Sequence, residues 1–144
     1  MKKENKMYGM PNVGCMIGTA YQCLVGQLDE ILREELPEVT VPEYMILRSL
    51  YFRDGMQQCD IAEMVGRDKA VVCRTVKAMV SKGYVRTESE SHKCLRVFLT
   101  SKAESVKAKV LQIAAGRQKA LESVIGPECV SVFSDCLKKI IESK

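Results

Sequence analysis

The chain has 144 residues, a formal net charge of +4, seven cysteines and no tryptophan. This length suits one domain with a core of its own, no apolar run is long enough for a membrane span, and the few aromatic residues argue against a stacking surface for single-stranded nucleic acid. The odd number of dispersed cysteines and the polar N-terminus predict reduced thiols and a cytoplasmic location.

The N-terminal part of the sequence predicts two helices. Apolar residues recur every three or four positions from about Asn12 to Glu35, which predicts one long helix that ends before Pro37. Thr40 and Glu43 have the spacing of a capping box and predict the start of a second helix. The predicted buried stripe of this second helix consists of Ile46, Leu47, Leu50 and Tyr51.

The centre of the chain predicts a helix-turn-helix. Gly55 would end the preceding helix, a short helix would span Gln58 to Val65, and Gly66 would allow a tight turn. A second helix is predicted from about Asp68 to Ser81. Its apolar face would hold Val72, Val76, Met79 and Val80. Its other face combines small and basic side chains, namely Lys69, Ala70, Cys73, Arg74 and Lys77.

This second face fits the DNA major groove, which admits a helix and is lined by phosphates. Residues 57–102 contain nine Lys and Arg residues against five Asp and Glu residues, so this segment has a net charge of +4. An ordinary amphipathic helix with a solvated cationic face would show the same pattern. The segments on either side of the helix decide between the two interpretations.

A two-stranded wing is predicted to follow the helix pair. Gly83 would end the second helix, residues 84–88 are extended, residues 89–93 form a polar turn, and residues 94–99 alternate as a strand does. Thr100 would cap a long helix, and a break at Gly126-Pro127 would separate it from the last helix. The predicted fold is mainly α with a small β-hairpin wing, in the order α-α-α-α-β-β-α-α, which is a winged helix-turn-helix.

The terminal helices are too apolar for a lone monomer, because apolar or small residues cover much of the first helix. A two-fold homodimer would present two reading helices about one DNA turn apart, which matches a pseudo-palindromic operator in double-stranded DNA. We therefore expect a single domain over residues 1–144, with dimerisation helices at about 12–36 and 101–143 and a DNA-binding lobe at about 40–100.

From about Val13 to Lys139 the sequence resembles the MarR family of bacterial regulators. The motifs that carry the resemblance are Pro42-Glu43-Tyr44, Ile61-Ala62-Glu63, Asp68-Lys69, Val72-Cys73-Arg74, Lys82-Gly83-Tyr84-Val85 and Leu99-Thr100. The resemblance implies a homodimer with intertwined terminal helices and winged lobes. It also implies a repressor that leaves DNA when a small-molecule effector or an oxidant engages the junction between the dimer helices and a lobe.

The resemblance also implies roles for individual residues. Arg74 matches the DNA-contacting arginine of the family's recognition helix, and Lys69 matches the basic residue at the start of that helix. Gln58 matches a polar residue at the start of the preceding helix, which faces phosphate. His92 and Lys93 stand in place of the arginines of the wing, which is about two residues short and lacks the usual Asp-x-Arg, so weaker insertion of the wing is expected. The predicted DNA-binding residues are Gln58, Arg67, Lys69, Cys73, Arg74, Lys77, His92 and Lys93.

Other chemistry has weaker support. Cys15 aligns with a peroxide-sensing cysteine of some family members, but the flanking tyrosines are missing, and a buried small apolar side chain is the alternative. One His and dispersed thiols are too few for a zinc site, and nucleophile motifs and phosphate loops are absent. We expect no metal, no cofactor and no enzymatic activity. The alternative function is a winged helix that binds a protein partner without sequence-specific DNA binding.

Overall fold

The structure is a computed structural model that describes residues 12–91 and 94–143. The elements in chain order are α1 (Val13–Glu35), α2 (Val41–Phe52), β1 (Met56–Gln57), α3 (Gln58–Val65), α4 (Lys69–Lys82), β2 (Val85–Ser91), β3 (Cys94–Leu99), α5 (Ser101–Ile125) and α6 (Pro127–Glu142). This mainly helical fold with a small sheet confirms the predicted fold class. The chain divides into two compact units, one up to Glu104 and one from Ser105 onward.

Capping side chains and backbone conformation within a few residues determine where α1 and α2 begin and end. The side chain of Asn12 caps α1 by accepting the Cys15 N–H at 3.2 Å. The predicted capping box of α2 is confirmed, since Thr40 N–H donates to Glu43 Oε1 at 3.0 Å and Glu43 N–H donates to Thr40 Oγ1 at 3.4 Å. The prediction that Gly55 ends α2 is wrong, because Arg53 is already extended and Gly55 forms the turn into β1 at φ +73°.

The sheet has three antiparallel strands in the order β1-β3-β2. Strand β1 was not predicted, because two residues are too few to show alternation. The turn predicted at residues 89–93 is wrong for its first half, since β2 extends to Ser91 and pairs Ser89 with Leu95 and Ser91 with Cys94 across an irregularity. Residues 86–91 are exposed, so their polar side chains do not oppose backbone pairing with β3.

The core of the first unit joins the helix-turn-helix to the sheet. It contains Ile46, Leu47 and Leu50 of α2, Ile61 of α3, Val72, Val76 and Met79 of α4, Tyr84 and Val97. Val80 was predicted on the apolar face of α4 but is 43% exposed. At 100° per residue it falls about 20° from Lys69 and outside the arc of the three buried residues.

The start of α5 is held by hydrogen bonds within the first unit. Tyr51 Oη donates to the Ala103 carbonyl at 2.5 Å, and the Thr100 hydroxyl caps the helix by accepting the Ala103 N–H at 3.4 Å. Burial, together with the nearby charge of Glu104, raises the pKa of Tyr51 to about 12. The Tyr51 phenol is therefore a neutral donor over the physiological pH range.

The terminal helices leave much apolar surface uncovered. In α1 only Leu32 is buried, and no residue of α6 is buried. In α5, Val110 and Ile113 are buried, but Val124 is 84% exposed. In α6, the apolar side chains of Phe133, Ile140 and Ile141 are exposed in the single chain. Among the described residues, no helix combines the length and apolar character that a membrane span requires.

Candidate nucleic-acid interface

The recognition helix α4 has well-defined ends. Asp68 caps its N-terminus by accepting the Val71 N–H at 3.0 Å. Gly66 before it and Gly83 after it have φ angles of +67° and +83°, a left-handed conformation that glycine adopts without strain. The predicted helix from Asp68 to Ser81 is therefore confirmed to within one residue at each end, and its turns require the two glycines.

The exposed face of α4 brings together half of the predicted DNA-binding residues, four of the eight. Lys69, Arg74 and Lys77 are exposed, and Cys73 between them is partly buried. With 100° per residue, the three cations and Ala70 occupy an arc of about 140°. None of the three cations has an ion-pair partner among residues 12–91 and 94–143. The face can therefore bind an anion without first breaking an internal salt bridge.

Two other predicted residues lie apart from this face. Gln58 is the first residue of α3 and is partly buried. Arg67 lies in the turn between α3 and α4, where its Nη2 donates to Tyr21 Oη of α1 at 3.5 Å. Its Nε is buried and has no hydrogen-bond partner in the described part of the chain. The structure thus places the Arg67 guanidinium beside α1 and not with the cations of α4.

The wing contains two arginines that the sequence analysis did not select. Arg86 pairs with Glu88 and lies 4.5 Å from the ring centroid of Phe98. Arg96 Nε lies 2.5 Å from Glu90 Oε1, and its Nη1 donates to the Gly55 carbonyl at 2.9 Å. The signal that could have identified Arg86 was its alternation with Glu88, which places both side chains on one side of a strand. The predicted wing contacts His92 and Lys93 lie outside the described residues.

Six cysteines whose side chains the structure describes are free thiols. Cys15, the candidate redox residue, is exposed in the first turn of α1, and its carbonyl accepts the Thr19 hydroxyl at 3.0 Å. The alternative of a buried apolar side chain is wrong for the single chain. Within the described residues, no three His, Cys, Asp or Glu side chains are placed to hold a metal ion.

A helix pair with a free cationic second helix, followed by an antiparallel wing, defines a winged helix-turn-helix protein. Residues 39–91 match the model of the MarR family. Transcriptional regulator HosA of Escherichia coli O127:H6 is 25% identical over 113 residues, covering 77% of this chain and 84% of HosA. The chain is therefore similar to MarR-family regulators, and the family match covers residues 39–91.

Solved structures share the fold. The S. aureus MepR–DNA complex superposes with a TM-score of 0.81 at 18% identity, covering 93% of this chain and 98% of MepR. NadR in complex with 4-hydroxyphenylacetate superposes with a TM-score of 0.75 at 18% identity and covers 100% of both chains. At these identities the similarity establishes the shared winged helix fold.

Proposed function

We propose that this chain is a homodimeric, DNA-binding transcriptional regulator, and that it acts as a repressor released by an effector. The observation that carries the proposal is the exposed face of α4, where Lys69, Arg74 and Lys77 have no ion-pair partner among the described residues. The similarity to MepR, which was solved with DNA, supports the same use of the fold.

Binding would begin with electrostatic attraction and end with base contacts. Cations on α4 displace counterions from the phosphates, which gives a strong and salt-dependent affinity. The Arg74 guanidinium can form two hydrogen bonds to a guanine edge, whereas Lys69 and Lys77 each supply a point charge. The short side chain of Ala70 lets the helix backbone approach the groove floor. The wing would contribute less, because Arg86 and Arg96 are already paired with wing carboxylates.

The DNA-binding role is tested by Arg74→Ala, with binding measured on DNA from upstream of the gene by fluorescence anisotropy. Arg48→Ala is a matched control, because Arg48 is also exposed but lies on α2. We expect Arg74→Ala to lose about 1–3 kcal/mol of binding free energy per half-site, and Arg48→Ala to bind like the wild type. Unchanged affinity for Arg74→Ala would refute the role of α4. Salt-independent binding would favour the protein-interaction alternative.

A homodimer would cover the apolar surface of the terminal helices. Val13 and Met16 of α1 and Phe133, Ile140 and Ile141 of α6 are exposed in the single chain, and surfaces of this kind normally bind a partner. A second copy is the simplest partner, since a two-fold axis would pair identical surfaces.

Sedimentation of Phe133→Asp against Ser131→Asp tests the homodimer. Both residues are exposed on α6, but at 100° per residue Ser131 falls on the polar side of the helix. We expect Phe133→Asp to be a monomer and Ser131→Asp to remain a dimer. A monomeric wild-type protein would contradict the proposal.

The effector would be a small aromatic carboxylate bound near Arg67. The Nε of this residue is buried without a partner in the described chain, and its Nη2 is close to Tyr21 Oη. A carboxylate would satisfy the guanidinium, and NadR was solved with an aromatic acid of this class. We expect calorimetry to detect binding of 4-hydroxyphenylacetate or a related acid to the wild type and not to Arg67→Ala. Equal binding by both proteins would exclude this site.

A further inference from the structure

The C-terminal end of α4 is held by a group of side chains that lies outside the exposed cationic face. We call this group the α4 anchor, and it consists of Glu38, Glu43, Lys82, Tyr84 and Lys102. We propose that Lys82 is a positioning residue, which sets the angle at which α4 is presented to DNA through its ion pair with the buried Glu43. The inference rests on the proposed DNA-binding function.

Lys82 connects the last residue of α4 to the N-terminus of α2. Its Nζ donates to Glu43 Oε1 at 2.7 Å and to the Glu38 carbonyl at 2.9 Å. The Glu43 side chain is 2% exposed and the Lys82 side chain 38% exposed. Charges that leave water need a close partner of opposite sign, so the position of Nζ is restricted by the buried carboxylate.

Glu43 has little freedom to follow a moving lysine. Its Oε1 also accepts the Thr40 N–H in the capping box at 3.0 Å, while its Oε2 is buried and has no hydrogen-bond partner in the part of the chain described. The carboxylate is therefore fixed to the first turn of α2 and depends on Lys82 for its compensating charge. Any movement of the end of α4 away from α2 would leave this charge unpaired.

The first turn of α5 also contacts the C-terminal end of α4. Lys102 Nζ donates to the Lys82 carbonyl at 2.7 Å and lies 4.5 Å from the centroid of the Tyr84 ring. The Thr100 hydroxyl is 2.5 Å from the Gly83 carbonyl, and Tyr84 Oη donates to Glu38 Oε2 at 3.2 Å. The end of α4 is thus bound to both α2 and α5, and this attachment lies within the first unit.

Geometry explains why an anchor at one end affects binding along the whole helix. The 14 residues of α4 span about 20 Å at 1.5 Å per residue. A tilt of about 5° at the anchored end would therefore displace Lys69, at the other end, by about 2 Å. A hydrogen bond to a base edge tolerates much smaller errors. Because Lys82 Nζ is directed at Glu43 and Glu38, its effect on binding would be indirect.

Three variants separate positioning from contact and from stability. Lys82→Met removes the ammonium but keeps an unbranched apolar stem of four atoms. Glu43→Gln/Lys82→Met also removes the charge that would be left unpaired, while glutamine can still accept the Thr40 N–H. Lys77→Ala removes an exposed cation of the cationic face. Affinity and its salt dependence are measured by anisotropy with a fluorescein-labelled duplex from upstream of the gene, and thermal unfolding is followed in parallel.

We expect Lys82→Met to bind the duplex roughly tenfold more weakly, which is typical of residues that act on binding from a distance. Its salt dependence should equal that of the wild type, whereas Lys77→Ala should show a smaller dependence. The double variant should recover the thermal stability of the wild type and still bind more weakly, because the link between α4 and α2 remains broken.

The expected pattern can fail in distinct ways. If the double variant is stable and binds like the wild type, Lys82 has no positioning role. If Lys82→Met reduces the salt dependence as much as Lys77→Ala does, Lys82 is a direct phosphate contact and the inference is wrong. A wild-type protein that binds no duplex would overturn the proposed function and, with it, the positioning role. Normal wild-type binding together with either of the first two results overturns the positioning role alone.

Discussion

The salt dependence of DNA binding can be calculated from the exposed face of α4. Lys69, Arg74 and Lys77 of each subunit bring six cations to the DNA site of a dimer, and if each displaces about one counterion, whether it contacts a phosphate or a base edge, the slope is about −5 in a plot of log affinity against log salt concentration. Affinity should then fall about a thousandfold between 50 and 200 mM salt. Lys77→Ala removes two of these contacts, so its slope should be about −3.6.

Anisotropy titrations at five or more salt concentrations measure this slope for the wild type, Lys77→Ala and Lys138→Ala. Lys138 is an exposed lysine of α6, so its replacement changes the net charge equally without altering the cationic face. We expect the slope of Lys138→Ala to equal that of the wild type. The reasoning is refuted if the two lysine variants have the same slope, because the cation of α4 would then act only through net charge.

Three further predictions concern stability, measured by urea or thermal unfolding. Gly55→Ala should lower the free energy of unfolding by about 1–3 kcal/mol, because φ is +73° and a Cβ would lie 2.8 Å from Cε1 of Phe98. An unchanged unfolding midpoint would contradict this prediction. Asp68→Ala should lower the free energy of unfolding by about 1 kcal/mol through loss of the α4 cap. Asp68→Asn keeps a hydrogen-bond acceptor, so its stability should be close to that of the wild type. Equal losses of stability in the two variants would exclude capping as the cause. Below pH 10 the Tyr51 phenol is neutral in both states, but the unfolded state ionises first as pH rises toward the folded pKa of about 12. The free energy of unfolding should therefore fall over this pH range by less than about 1.4 kcal/mol per pH unit, since the ring is partly exposed. The free energy of unfolding of Tyr51→Phe should fall less steeply over the same range.

Local signals explain why most of the fold could be predicted. The capping box at Thr40 and Glu43, the glycine at position 66 and the periodicity of α4 each act over a few residues, and each is confirmed in the structure. The predictions were wrong or incomplete where contacts between distant parts of the sequence determine the secondary structure. Strand β1 exists because Met56 pairs with Val97, about forty positions away in sequence, and no local pattern indicates that pairing.

The part of the candidate site that depends on local sequence could be predicted, and the part that depends on tertiary contacts could not. Lys69, Arg74 and Lys77 share one helical face through the 3.6-residue repeat alone. The sequence could not show that Arg67 is directed toward Tyr21, or that Lys82 pairs with Glu43, because those contacts join elements distant along the chain. Arg96 was missed because its pairing with Glu90 joins two strands and depends on their register, whereas Arg86 and Glu88 lie two residues apart on β2.

The short strand β1 has a consequence for how this lobe folds and tolerates change. It leads directly into α3, and its residues Met56 and Gln57 pair with Val97 and Arg96 of β3. The entry to the helix pair and the inner strand of the hairpin therefore share a single backbone ladder, so we expect their amide protons to be protected from exchange together, as one cooperative unit. An insertion at the base of the hairpin would shift the register of that ladder and disturb the start of α3.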